Sequence, residues 1–170
     1  MNYLPKELFI FLFLELIAVA WIDFKYRKIS SIWVFLNFSI FFLIYFILGL
    51  GLTFSLTQLY YPVIFFVVGF AFYTLRIMGG GDSKFLVSMY IILPVYFHEN
   101  FLMSLLYVTT FVGLTQFIYN SIVGRDLLMK FWRQKSIKHL KQCYGKKFPF
   151  APIILLSWII FGMNNLNKIK

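Results

Sequence analysis

The sequence predicts an all-α membrane protein, a polytopic bundle of six transmembrane helices, and three features point there. Of 170 residues, 61% are hydrophobic and only 13% charged, whereas soluble domains carry roughly a quarter charged residues. Between Lys28 and Arg76 lie 47 residues without a charge, room for two spans of about 20 residues each. Aromatic side chains reach 22%, and these residues pack on lipid tails and anchor at the headgroup level.

In chain order, the apolar runs predict helices over approximately 5–22, 32–52, 59–78, 83–97, 101–123 and 149–164, within a single membrane domain spanning 1–170. The first run has one lysine before it and no small-residue cleavage site after it, so it reads as a permanent span rather than a signal peptide. The breaks have local causes. They are the charged stretch from Asp23 to Lys28, the polar turn Thr53 to Gln58, the triple glycine 79–81, His98-Glu99-Asn100, and a basic loop over 124–148. Pro62 and Pro149 fall near helix starts, where a missing amide hydrogen matters least.

Charge placement sets the expected topology. Lys25, Arg27 and Lys28 lie in the first loop, Arg76 and Lys84 in the third, and 8 basic residues in the fifth, whereas Lys6, Lys168 and Lys170 fall on the other side. The positive-inside rule then puts both termini outside and the odd-numbered loops, with Asp23 and Asp82, at the cytoplasmic face of the cell membrane. The net charge of +10 is therefore read as topology and contact with anionic membrane lipid, not as nucleic-acid binding. Two short amphipathic pieces with a bend near Gln134 to Ser136 are expected in the basic loop, because its apolar residues do not form one stripe.

One cysteine, Cys143, excludes an intramolecular disulfide and a CxxC zinc module. His98, His139 and Cys143 are too scattered to suggest a metal site, and no cofactor is expected. Six carboxylates remain. Glu7, Glu99 and Asp126 read as terminal or loop charges, which leaves Glu15, Asp23 and Asp82.

Asp23 ends the first predicted span and Asp82 opens the fourth, so both come to one membrane face from different helices. Peptide hydrolysis without metal or nucleophilic side chain needs one carboxylate to deprotonate water and one carboxylic acid to polarise the carbonyl. Two aspartates sharing a proton supply both. Helix ends predict an asymmetry, since Asp23 lies near a negative C-terminus and Asp82 near a positive N-terminus, favouring Asp82 as the ionised partner. Gly79, Gly80 and Gly81 beside Asp82 predict close backbone approach, an extended substrate strand being one candidate. Glu15 sits in the middle of the first span, about 12 Å along the helix from Asp23. An intramembrane carboxylate invites a functional reading; the alternative is a neutral carboxyl hydrogen-bonded to another helix, with Gln116 a candidate partner.

On these residues the chain resembles the type IV prepilin leader peptidases, the GxGD class of membrane aspartyl proteases. The resemblance is carried by Asp23 with Lys25, Arg27, Lys28 and Ile29, by Gly79-Gly80-Gly81-Asp82-Ser83-Lys84, and by Pro149-Phe150-Ala151-Pro152 at the last span. It implies an aspartic endopeptidase that cleaves the short basic leader from prepilin or pilin-like precursors at the cytoplasmic face, with Asp23 and Asp82 as the catalytic pair. Lys25 and Lys84 match recurrent basic positions of the motifs. Larger members carry an extra region with paired CxxC zinc ligands and methylate the new N-terminus; lacking it, this chain looks most like the small peptidases of Flp/Tad-type pili, without N-methyltransferase activity. The competing reading is a small transporter that moves protons on its intramembrane carboxylates.

Overall fold

The computed structural model describes residues 3–47, 55–74, 78–124 and 149–169. Among them are six α-helices: α1 Lys6–Tyr26, α2 Ser31–Phe42, α3 Tyr60–Thr74, α4 Gly80–Ile92, α5 His98–Val123 and α6 Ala151–Asn164. A π-helical turn, Leu43–Ile47, continues α2. Short 3₁₀ turns precede α3, join α4 to α5 and follow α6. The chain is all-helical across the described residues, and the lone β-bridge, between Leu4 and Ile169, ties its two ends together.

Two compact units emerge, Met1–Leu105 with Pro149–Lys170, and Leu106–Phe148. In the first, α4 packs against both α2 and α3, and α1 packs against α6. Burial follows: Ser83, Phe85, Leu86 and every residue from Ser88 to Ile92 are buried, so α4 is the central element. Its crossing with α3 is close, because a Cβ on Gly69 would stand 2.6 Å from Ser83 Cβ. The Ser83 hydroxyl donates to the Gly69 carbonyl across that contact at 3.2 Å. Small residues let helices approach this way where no polar surface is available to separate them. In the second unit the described part is the rest of α5, where Thr109, Thr115 and Ser121 bond back to carbonyls three or four residues earlier. Hydroxyls satisfied within their own helix suit an apolar exterior.

α1 is built inside out relative to a helix in water. Its buried stripe, Leu8, Leu12, Glu15, Leu16, Val19, Ala20 and Asp23, follows the helical period and contains two carboxylates. Trp21 and Phe24 on the opposite side are 72% and 73% exposed, a pattern that a soluble helix reverses. Leu56–Thr74 and Val95–Val123 are long and apolar enough to cross a bilayer, and Ser31–Phe46 and Ala151–Asn164 are shorter apolar helices.

Several boundaries differ from the sequence expectation. α1 runs one turn further, enclosing Asp23 and Lys25, and stops where Arg27 adopts a left-handed conformation (φ 52°) with its amide on the Asp23 carbonyl at 2.7 Å. Ser30 then caps α2. α4 starts at Gly80, so all but the first glycine of the triplet are helical, and it ends five residues early at Ile92 because Leu93 precedes Pro94 and turns extended. At 13 residues it spans about 20 Å. His98-Glu99-Asn100, expected as a break, forms the first turn of α5. The basic loop, with the two-piece reading of it, His139 and Cys143, lies outside the described residues.

The buried end of α4 leaves carbonyls that need donors, since an unpaired backbone group away from water is costly. Gln58, 1% exposed, donates through Nε2 to the Ile91 carbonyl at 2.7 Å and to the Tyr45 hydroxyl at 2.7 Å. Tyr45 in turn donates to the Ile92 carbonyl, and His98 Nε2 meets the Leu93 carbonyl at 2.7 Å. Side chains from α2's π turn, the turn before α3 and the start of α5 thereby replace the missing solvent.

Candidate active site

Asp82 occupies the third position of α4 and bends back so that its Oδ2 accepts the Gly79 amide at 3.0 Å. This is one half of a capping box, and glycine at the cap offers no side chain for the other half. The carboxylate thus rests on a helix N-terminus, where amides and dipole favour negative charge. Gly81 lies directly under the segment that follows α1: a Cβ there would stand 2.8 Å from the Ile29 carbonyl oxygen and 3.2 Å from Ile29 Cβ. At Gly81 the closely approaching backbone is the chain's own.

A cavity of about 570 Å³ opens over this helix start. One wall is the glycine run 79–81 with Asp82 and Lys84, a second is Arg27, Lys28, Ile29 and Ser31, and a third is Phe66, Phe70 and Tyr73 on one face of α3. Backbone amides, three cations and an aromatic wall surround one carboxylate. Lys25 does not line this space; it is exposed, with its ammonium 5.2 Å from the Tyr26 ring.

Asp23 does not line the cavity either. It is 3% exposed on the buried side of α1, and its Oδ2 accepts the Ala151 amide, the first of α6, at 3.0 Å. The predicted asymmetry between the aspartates loses its basis here: Asp23 does sit in a helix's last turn, but it also accepts from the positive N-terminus of another helix. Both aspartates are held by helix-start amides, one from its own helix and one from α6.

Deeper in α1, Glu15 is 4% exposed. Its polar neighbour is Asn37 of α2, near enough to act on the carboxyl although no hydrogen bond is closed between them. Asn37 donates to the Ser88 hydroxyl of α4 at 3.1 Å, and Ser88 donates to the Phe85 carbonyl. Glu15, Asn37 and Ser88 form a polar patch at α1, α2 and α4.

Sequence reasoning singled out the aspartates, the glycines and the motif lysines, of which Asp82, Gly79, Gly80, Gly81 and Lys84 line the cavity and Asp23 and Lys25 do not. It missed the aromatic wall, Asn37, Ser88, Gln58 and the Ala151 amide. Phe66, Phe70 and Tyr73 have helical spacing, but α3 is apolar all round, so the spacing selects no face. Asn37 and Gln58 were visible as polar residues within the uncharged 47-residue stretch and could have been flagged on that ground.

Asp82 at the cavity and Asp23, buried against α6, are each seated on a helix-start amide, and carboxylates are among the groups that act as general acids and bases. The sequence identifies the lineage: residues 10–123 match the model of the type IV leader peptidase family, and the chain belongs to that family. The match takes in both aspartates and the glycine run and ends with α5. Membership implies an aspartic peptidase. Comparison with curated proteins finds no match, nor does comparison with solved structures.

Proposed function

We propose that the chain is a multi-pass membrane endopeptidase of the small Flp/Tad-associated kind, which removes the basic leader from prepilin or pilin-like precursors at the cytoplasmic face of the cell membrane using Asp23 and Asp82. The observation that carries this reading is a convergence of three chain segments. The α4 start packs on the segment after α1 through Gly81 and Ile29, and the end of α1 is bonded to the start of α6 through Asp23 and Ala151. The reading takes six spans in one membrane domain with both termini outside; what supports an even number of crossings is the pairing of Leu4 and Ile169, since such a number returns the ends to one side. Lys168 near that pairing donates to Tyr96, at the end of the bundle opposite the aspartates.

In the reaction, one aspartate as carboxylate takes a proton from water, and the water oxygen attacks the scissile carbonyl carbon. The other, as carboxylic acid, gives its proton to the carbonyl oxygen. Collapse of the tetrahedral intermediate breaks the C–N bond as the leaving nitrogen accepts a proton from the pair. No cofactor is needed. The cavity beside Asp82 offers its glycine wall to an extended strand, and Arg27, Lys28 and Lys84 draw acidic groups of the precursor while repelling its basic leader, so recognition favours the mature side of the cut. Lys25, on the exposed end of α1, approaches the substrate or lipid headgroups. Glu15 sits buried beside the Asn37–Ser88 hydrogen bond.

Coexpression with a pilin-like precursor tests this reading by a mobility shift on a gel. Wild type produces the shorter product, and Asp23→Asn and Asp82→Asn, expressed at equal level, both abolish it. Cleavage retained in either variant removes the pair from the mechanism, and proton-coupled uptake into vesicles without cleavage favours the transporter.

A further inference from the structure

We infer that the Pro149-Phe150-Ala151-Pro152 turn is a positioning element for Asp23, acting through the Ala151 amide. The inference rests on the reading of Asp23 as a working carboxylate and adds to it a part outside the region that matches the family.

A helix start exposes several amides without intrahelical partners, and in α6 they are few. Pro149 and Pro152 have none to give. The Ile153 and Ile154 amides both turn to the Phe150 carbonyl, at 3.0 and 3.3 Å. Ala151, between the prolines and 0% exposed, is the donor directed away from its own helix, and it points at Asp23 Oδ2. Phe150 at the cap position bonds to no amide through its side chain, so a residue 128 positions away in sequence serves as the cap.

This is an uneconomical way to cap a helix and an effective way to hold a carboxylate. Serine or aspartate at position 150 would cap α6 locally. The turn instead places a phenylalanine there, and the prolines at 149 and 152 contribute no amide of their own. One oxygen of Asp23 is tied to a rigid helix start, which fixes the direction of the other. Asp82 is held in the same manner, by Oδ2 on the Gly79 amide. Fixed orientation of both carboxylates is what a shared water requires, since small displacements of a catalytic group lower turnover strongly.

The test measures kcat and KM on the precursor that the wild-type chain cleaves, using the full chain in detergent. Ala151→Pro removes the amide hydrogen while placing proline at a favoured helix position. Because proline also disfavours the helical backbone of its predecessor, and Phe150 is helical (φ −89°, ψ −27°), a second variant replaces Ala151 by lactic acid through amber suppression, exchanging the amide for an ester without that clash. Both are expected to lower kcat roughly tenfold to a hundredfold, as befits loss of one hydrogen bond to a charged group, with KM within about twofold of wild type. Ala151→Gly keeps the donor and loses at most a few-fold. The inference is overturned if the folded ester variant turns over at the wild-type rate, if its loss falls on KM, or if Ala151→Gly loses as much. Asp23→Asn in the same assay separates the two claims: residual wild-type turnover there refutes Asp23 as a working residue, whatever Ala151 does.

Discussion

The contact between Gly81 and Ile29 makes a sharp prediction when set beside its neighbour. Alanine at either position 80 or 81 gains helix propensity worth about 1 kcal/mol over glycine. At Gly81 the new methyl would lie 2.8 Å from a backbone carbonyl oxygen, which moves only if the whole segment from Arg27 to Ser31 moves. Forcing an extra carbon into such a site costs about 1–3 kcal/mol, so Gly81→Ala is destabilising by about 0–2 kcal/mol. At Gly80 the methyl would meet the edge of the Tyr73 ring at 3.3 Å; that ring is 56% exposed and can swing aside. Gly80→Ala is then neutral or gains up to about 1 kcal/mol. Apparent melting temperatures of the two variants, in one detergent at one scan rate, should bracket wild type with Gly81→Ala below. Cleavage kinetics should show a raised KM for Gly81→Ala, because the displaced segment forms a wall of the cavity. Equal losses at both positions, or a more stable Gly81→Ala, would refute the packing argument.

Three further outcomes follow from the same geometry. Gln58→Leu leaves the Ile91 carbonyl without its side-chain donor at a buried helix end, which should lower stability by about 1–3 kcal/mol in a thermal melt while cleavage below the melting range persists. Arg27→Gly relieves a left-handed backbone (φ 52°) that disfavours side chains by about 1–2 kcal/mol, so the melt should rise, while loss of a cavity cation raises KM for precursors with acidic residues after the cut. Glu15→Gln, of equal size and without charge, should retain cleavage within a few-fold if Glu15 is only a packed polar neighbour of Asn37; abolished turnover in a folded variant would assign it a proton-carrying role.

The all-helical architecture was legible in the chain because long apolar runs broken by glycine, proline and charge read directly as helices. Asp23, Asp82 and the glycines stood out since each is costly in an apolar sequence unless used. Helix ends were less legible. The extension of α1 past Asp23 depends on Arg27 accepting a left-handed conformation, which its residue type does not announce. The early stop of α4 was signalled by Pro94, yet its tolerability depends on Gln58, Tyr45 and His98 arriving from elsewhere. The capture of Asp23 by α6 joins residues 128 apart, beyond the reach of any local pattern, although the prolines flanking Ala151 mark the place.

The central claim is that Asp23 and Asp82 act on one water. A structure of the chain bound to a precursor peptide whose scissile amide is replaced by a hydroxyethylene isostere tests it most directly. The account predicts both carboxylates within hydrogen-bond distance of the isostere hydroxyl, with Asp23 still on the Ala151 amide and Asp82 on that of Gly79. A hydroxyl held by Asp82 alone, with Asp23 turned away on the far side of α1, would contradict it.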